Sequence, residues 1–167
     1  MHIVIDGYNL IGALSAMGAS VRDIEAEREN LIERLKSYKR LRGARITVVF
    51  DGTAGYGLGR TKENKGGIEV IFSRAGETAD TVLKEYAGKM REGLTLITSD
   101  RDVASFAEKC GAVVVSSGEF VERLESAEYT ELKGVEEDEG SAQQPKKGQA
   151  RRPPKKERLK MRRLKKL

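Results

Sequence analysis

Acidic side chains follow three of the short apolar runs in this sequence. Asp6 directly follows the run at residues 2–5. Asp51 follows a second run in the same way, and Asp100 lies two residues beyond a third. Each run has the length and the apolar content of a buried strand. Because the carboxyl ends of parallel strands meet at one edge of a sheet, these acids are expected to converge there. Two further acids lie near the same edge: Asp80, at the start of a predicted helix, and Asp102.

Carboxylates that converge repel one another, and a hard divalent cation relieves that repulsion. Oxygen-only ligands without His or Cys favour Mg²⁺ or Mn²⁺, which activate water for phosphodiester chemistry. His2 lies inside the first predicted strand and is not placed as a general base. The alternative is that each acid caps a helix or shapes a loop, as Asp and Ser commonly do.

The elements that would position these acids are strands that alternate with helices. The strands are predicted at residues 2–5, 46–50, 68–72, 94–98 and 112–115. Helices are predicted after residue 23, where residues 20–23 resemble a capping box, and at residues 78–90, 103–110 and 119–127. The strands are apolar throughout, which indicates a mostly parallel five-stranded sheet covered on both faces, an α/β/α sandwich. Residues 52–67, which contain six glycines, are predicted to form a long loop.

The charge of the chain is unevenly distributed. Of 167 residues, 34% are charged and the formal net charge is +5. Residues 145–167 contain 12 Lys or Arg and one acid, which gives +11, whereas residues 1–144 carry a net charge of −6. We therefore predict a folded domain at residues 1–127, an acidic linker at 128–144, and a basic tail at 145–167. The tail is predicted to be disordered, or to become helical on binding.

Several classes of protein are excluded by composition. No stretch approaches the roughly 20 apolar residues of a membrane helix, and the N-terminus does not resemble a secretory signal. The single cysteine, Cys110, cannot form an internal disulfide, and no Cys/His cluster suggests zinc. These features predict a cytoplasmic protein without a membrane partner.

Two basic segments are candidates for binding RNA. The loop at residues 52–67 is expected to flank the acidic edge, and its cations would contact phosphates while an aromatic ring stacks on a base. The tail would capture RNA that the acidic body repels. The alternatives are a solvated loop, and a tail that binds an anionic membrane or only improves solubility. The candidate residues in these segments, with one beside Asp100, are Tyr56, Arg60, Lys62, Lys65, Arg101, Lys155, Lys156, Arg162 and Arg163.

Four motifs in order resemble those of YacP-like NYN-domain proteins. They are DGYNLI at residues 6–11, VVFD at 48–51, IEVIFS with GETAD at 68–80, and TSDRD at 98–102. This family includes a bacterial ribosome-associated endoribonuclease. The resemblance implies a PIN-like fold with strand order 3-2-1-4-5 and metal-dependent cleavage of RNA. It covers residues 1 to about 125, and the tail lies outside the family's core pattern.

The resemblance also implies roles for individual residues. Asn9 would orient a ligand water or a substrate phosphate, and Ser99 would hydrogen-bond a ligand carboxylate. Glu77 matches a family position but could cap a helix instead of binding metal. Asp51 matches a supporting polar position. The acidic metal-binding set is matched by Asp6, Asp80, Asp100 and Asp102.

Three functions remain open from the sequence. The leading hypothesis is a Mg²⁺- or Mn²⁺-dependent endoribonuclease that acts on RNA, with messenger RNA on the ribosome as the substrate that the family suggests. The second is an RNA- or ribosome-binding adaptor without catalysis. The third is a structure-specific DNA nuclease, since flap-type nucleases share related acidic geometry.

Overall fold

The computed structural model describes residues 1–16, 23–52, 59–133, 155–165 and 167, and for residues 131–133, 155–157, 160 and 164 it describes the backbone alone. The elements follow one another as β1 (His2–Asp6), α1 (Gly7–Ala16), α2 (Ile24–Arg42), β2 (Arg45–Phe50), β3 (Thr61–Lys65), β4 (Ile68–Phe72), α3 (Ala79–Met90), β5 (Leu94–Ile97), α4 (Arg101–Lys109), β6 (Val113–Val115), α5 (Ser117–Lys133) and α6 (Lys155–Leu164).

One sheet holds all the described strands, in the order β3-β4-β2-β1-β5-β6. Every neighbouring pair is parallel except β3 with β4. The α/β fold is therefore confirmed, and the five expected strands lie in the order that the family resemblance implies. The expected strand count is wrong, because the sheet has six strands.

The additional strand β3 lies in the segment that was predicted to be a loop. It pairs antiparallel with β4 through a two-residue turn, and both turn residues, Gly66 and Gly67, have positive φ. Such a turn is a hairpin signal in the sequence. The strand itself, TKENK, is almost wholly exposed at the edge of the sheet and has no apolar residue that would indicate it.

Helices cover both faces of the sheet. Alternate strand residues enter two separate cores, so Ile3 and Ile5 pack on the face covered by α1, α2 and α5. Val4 packs on the face covered by α3 and α4. All of these side chains have no exposed surface, which explains why the strands read as continuous apolar runs.

The helices differ from the expected ones at α1, at α5 and at α4, which begins at Arg101 instead of residue 103, whereas α2 begins after residue 23 as expected. Helix α1 was not predicted, because it begins directly at the end of β1 without a break in the sequence. The N-cap of α2 is Asp23, whose carboxylate accepts a hydrogen bond from the backbone N–H of Glu25 at 2.9 Å. The expected cap at Ser20 lies outside the described residues. Helix α5 continues to Lys133, beyond the predicted end at residue 127.

The end of the basic tail is folded onto the domain. Helix α6 packs beside β6, and Leu159 and the buried Leu167 contact the core between the sheet and α2 and α5. The hydroxyl of Tyr38 donates a hydrogen bond to the carbonyl of Leu167. The end of the tail, expected to be disordered or to become helical on binding, forms a helix in this structure, and Leu159 and Leu167 contact the core.

The predicted linker begins inside α5, and from residue 134 onward it lies outside the described part of the chain, so the proposed division into segments stays a prediction. No helix within the described ranges has the length and apolar character needed to cross a membrane.

Candidate active site

The carboxyl ends of β1, β2 and β5 form one edge of the sheet, and helices begin there at once. Helix α1 starts at Gly7, one residue after the last residue of β1. A Cβ atom at Gly7 would lie 2.2 Å from Cε1 of Phe50, closer than any real contact. Glycine therefore lets α1 turn away directly from the strand, which keeps Asp6 at the junction.

Asp6 is a buried carboxylate, 8% exposed. Its two oxygens accept hydrogen bonds from the backbone N–H of Asn9 and from the hydroxyl of Thr98, each at 3.2 Å. Burial raises the pKa of Asp6 above its ordinary value, and the negative charges of Asp80 and Asp51 add to the rise against the two hydrogen bonds. Asp6 is therefore held in one position, and a nearby cation would stabilise its charged form.

Asp80 lies in the first turn of α3, beside the other carboxylates. Burial raises its pKa, and the nearest negative charges, those of Asp100 and Asp51, contribute in the same direction. Asp51, which follows β2, connects that strand to α3, because its carboxylate accepts a 2.6 Å hydrogen bond from the backbone N–H of Ala79 at the start of α3. These interactions link the end of β2 to the start of α3 and place Asp51 and Asp80 where their charges act on Asp6.

Asp100 and Asp102 belong to the start of α4. One oxygen of Asp100 accepts hydrogen bonds from the backbone N–H groups of Asp102 and Val103, at 2.8 and 2.9 Å, so Asp100 is the N-cap of this helix. The side chain of Asp102 is 81% exposed and forms an ion pair with Lys84, which lowers its pKa. The capping role that was considered as an alternative therefore applies to Asp100, and its second oxygen takes no part in the cap.

Asn9 and Ser99 connect the elements that surround the carboxylates. The side-chain oxygen of Asn9 accepts hydrogen bonds from the backbone N–H of Ser99 at 3.0 Å and from the hydroxyl of Ser117 at 2.7 Å. The hydroxyl of Ser99 accepts from the backbone N–H of Ser117 at 3.1 Å. Both side chains thus join α1, the loop after β5 and the start of α5. The hydroxyl that contacts a carboxylate of the predicted set is that of Thr98.

Glu77 faces away from the carboxylate group. Its two oxygens accept from the guanidinium of Arg60, each at 2.8 Å, and Arg60 also contacts Glu85 at 2.5 Å. These hydrogen bonds lower the pKa of Glu77 to about 2. Helix α3 is capped by Thr78 instead. Glu77 and Arg60 therefore hold the segments before β3 and α3 together, and neither is positioned as a ligand or an RNA contact in this structure.

The other residues predicted to bind RNA are spread over the surface. Arg101 is exposed at the start of α4, beside Asp100, and Lys62 is exposed on β3. Lys65 ends β3 at the opposite edge of the sheet, opposite Ile68 at the start of β4. Arg162 is exposed on α6, whereas Arg163 is partly buried and donates to the carbonyl of Leu94. Tyr56 and the side chains of Lys155 and Lys156 lie outside the described part.

The donor atoms at this edge of the sheet are carboxylate oxygens, the kind of ligand that Mg²⁺ and Mn²⁺ prefer in proteins. Asp6 and Asp80 are carboxylates whose pKa values rise because they are buried and face other negative charges. The ammonium of Lys84, which contacts Asp102, is the positive charge that opposes this effect at Asp80. Within the described residues, no three Asp, Glu, His or Cys side chains are grouped closely enough to hold an ion. For Asp102 to join Asp6 and Asp80 as a ligand, its carboxylate would have to leave Lys84.

Three residues that contribute to the site were not identified from the sequence. Thr98 is buried and bridges two acids, since its oxygen donates to Asp6 and accepts from the backbone N–H of Asp100 at 3.1 Å. Lys84 lies one helical turn after Asp80, and this spacing could have indicated that the two side chains interact. Ser117 gives no sequence signal, because its contact with Asn9 spans 108 residues.

Comparison with known proteins identifies the family of the chain. The family described as the YacP-like NYN domain matches residues 3–167. The chain belongs to this family. The match includes the basic tail, so the expectation that the tail lies outside the family pattern is wrong.

A protein and two crystal structures from Bacillus subtilis are similar to this chain. The protein named "Uncharacterized protein YacP" is 33% identical over 132 residues, which cover 75% of this chain and 76% of that protein. The crystal structure of Rae1 (YacP) is 29% identical and covers 80% of this chain and 79% of that chain, with a TM-score of 0.64. A variant of Rae1 gives the same TM-score at 26% identity, with 79% of each chain covered. As a YacP-like NYN protein with a PIN-like nuclease fold, the chain has a nuclease-like, RNA-related function.

Proposed function

We propose that this YacP-like NYN protein is a Mg²⁺- or Mn²⁺-dependent endoribonuclease. The observation that carries the proposal is the pair Asp6 and Asp80, which meet at the carboxyl edge of the sheet with pKa values raised by burial and by other carboxylates. Acidic groups whose pKa values are raised by burial and by like charges are typical of functional sites.

Asp6 and Asp80 would hold the ion, with Asp100 and Asp102 as further ligands. A bound Mg²⁺ or Mn²⁺ supplies activation of water and stabilisation of the leaving oxygen in phosphodiester hydrolysis. The protein contributes rigidity, because Asp6 is fixed by Asn9 and Thr98 and Asp51 fixes the start of α3. Preorganised ligands of this kind lose little freedom when the ion binds.

Arg101 supports the choice of a polyanionic substrate. It is exposed next to Asp100, where its guanidinium can contact a phosphate that approaches the acidic edge. The family resemblance makes messenger RNA on the ribosome the first substrate to test. A cytoplasmic location, inferred from the composition, belongs to the same proposal.

Cleavage of labelled single-stranded RNA and of DNA with the same sequence tests the proposal. We expect the purified chain to cut RNA with Mn²⁺, to stop with EDTA, and to lose activity in Asp6→Asn. Asp23→Asn is the matched control, because it removes the same charge from the exposed N-cap of α2. RNA cutting that is undiminished in Asp6→Asn contradicts the mechanism. Preferred cutting of DNA would support the structure-specific DNA nuclease, and RNA binding without any cutting would support the adaptor.

A further inference from the structure

The outward face of α6 carries a row of cations. Arg158, Arg162 and Lys165 are exposed at spacings of four and three residues, which places them on one side of a helix. Met161, 58% exposed, lies among them. Across the described residues, no ion pair involves these three cations, so their charges face solvent.

The inward face of the same helix holds it in place. Leu159 contacts the core, and the guanidinium of Arg163 donates to the carbonyl of Leu94 and, at 3.3 Å, to the hydroxyl of Thr95. Beyond the helix, the buried Leu167 accepts from Tyr38. The row of cations is therefore fixed relative to the domain and does not need RNA in order to form.

The length of the row matches a nucleic-acid backbone. Lys165 directly follows α6, and its backbone N–H bonds to the carbonyl of Met161, so the turn continues to it. Arg158 and Lys165 are seven residues apart, about 10 Å at 1.5 Å per residue. Phosphates of one strand follow one another about every 3.4 Å along a duplex axis, so three cations match about three phosphates. A cleft of about 240 Å³ lies next to the row, lined by Met1, Leu159, Arg162 and Arg163, and has room for a phosphate group.

The position of α6 separates this row from the carboxylates. Arg163 binds at Leu94, where β5 begins, whereas the acids lie where the strands end. The four residues of β5 alone separate the two edges by about 10 Å or more. RNA held on α6 therefore has to extend around the domain to reach Asp6 and Asp80.

We propose that the outward face of α6, formed by Arg158, Arg162 and Lys165, is a second RNA-binding surface, distinct from the cutting site. Its three cations contact about three phosphates of an RNA strand. The surface does not suit a lipid bilayer, because the leucine at position 159 faces the core and Met161 is the single exposed apolar residue among the described side chains of the helix. This inference rests on the proposed function for its choice of RNA as the partner.

Salt-dependent binding of the full chain to a 30-nucleotide single-stranded RNA tests the surface. The variant is the triple Arg158→Gln, Arg162→Gln and Lys165→Gln, which keeps the helical propensity and the inward contacts. Each phosphate contact contributes about 0.7 to the salt slope. We expect the slope of log K against log salt to fall by about 2, and the affinity at 0.1 M KCl to fall on the order of 100-fold.

A second triple variant on the other helices serves as the matched control. It removes the same number of charges from exposed positions: Arg40→Gln, Lys89→Gln and Lys109→Gln. A slope that changes equally in both triples overturns the proposal, because net charge alone would then explain the binding. If the α6 triple loses binding to vesicles of phosphatidylserine but binds RNA as the wild type does, the proposal is also overturned, and α6 is identified as a membrane surface.

Cleavage kinetics separate this inference from the proposed function. Because the three charges on α6 contribute to binding, the KM of the α6 triple for the 30-nucleotide RNA should rise by about the same factor as its Kd. If the wild type cuts RNA but the salt slope is the same in the α6 triple, the second surface is refuted and the nuclease is not. If the wild type binds RNA with the expected slope but never cuts it, the proposed nuclease function is refuted and the second RNA-binding surface is not.

Discussion

Asp6→Asn is expected to stabilise the metal-free protein while it removes activity. The carboxylate is 8% exposed and faces the negative charges of Asp80 and Asp51. Burial of a polar group without full compensation costs about 1–3 kcal/mol, and loss of one neutral hydrogen bond about 0.5–1.5 kcal/mol. An asparagine still accepts from the backbone N–H of Asn9, and the hydroxyl of Thr98 can rotate. We therefore expect a net gain of about 1 kcal/mol, which raises the Tm by roughly 2–4 °C.

The dependence on pH identifies the cause of this gain. Because the pKa of Asp6 is raised in the folded state, ionised Asp6 destabilises the fold at neutral pH, and this penalty disappears as the pH falls through the folded pKa. Thermal melts in EDTA between pH 4 and pH 8 should show the gain in Asp6→Asn at the upper end and its loss at the lower end. Asp23→Asn, in which asparagine caps α2 as well as aspartate does, should stay within about 0.5 kcal/mol of wild type.

Divalent metal should reverse the order of stability. At a Mn²⁺ concentration of about 100 times its Kd, the wild type gains about 2.7 kcal/mol, and Asp6→Asn gains much less. The reasoning is refuted if Asp6→Asn melts below wild type in EDTA at pH 7.5, or if its advantage persists at the lowest pH.

Three further substitutions test other parts of the site. Lys84→Gln removes the cation that competes with a bound metal, so the affinity for Mn²⁺ measured by calorimetry should rise about fivefold. Glu77→Gln breaks the two hydrogen bonds with Arg60 and should lower the free energy of unfolding in urea by about 1 kcal/mol at pH 7. The pKa of Glu77 is lowered to about 2 in the folded protein, so this difference should vanish as the pH falls from 4.5 towards 2. Gly7→Ala forces a methyl group against the ring of Phe50 and should cost about 1–3 kcal/mol.

Each of these three has an outcome that contradicts it. Unchanged or weaker Mn²⁺ binding in Lys84→Gln would mean that the lysine does not compete with the ion. A stability difference for Glu77→Gln that is the same at pH 7 and pH 2.5 would mean that the ion pair is not its source. Gly12→Ala, also in α1 but with nothing within 4 Å of its Cβ, should be neutral or stabilising; an equal loss there would remove the steric argument for Gly7.

The parallel strands and the acids that end them could be predicted because both depend on local pattern. Continuous apolar runs result from burial on both faces, and the position of Asp6 at a strand end follows directly from the run before it. Strand β3 could not be found in this way, because an exposed edge strand needs no apolar residues. Its signal was the pair Gly66 and Gly67, which favours a hairpin turn.

Contacts between distant parts of the chain were beyond a reading of the sequence. Asn9 meets Ser117 across 108 residues, and Glu77 turns to Arg60 because a guanidinium lies within reach. The docking of α6 was missed for a similar reason. Its leucines are spaced among many basic residues, and only the folded domain shows that Leu159 and Leu167 face the core.

The central claim is that the carboxylates at the edge of the sheet cut RNA with a divalent metal. The most direct measurement is the rate of cleavage of one labelled single-stranded RNA across a Mn²⁺ titration, for the wild type, Asp80→Asn and Asp23→Asn. We predict a rate that saturates with Mn²⁺ in the wild type and in Asp23→Asn, and a loss of at least about 100-fold in Asp80→Asn. Equal rates in Asp80→Asn and Asp23→Asn, or a wild-type rate that is independent of Mn²⁺ and of EDTA, would contradict the account.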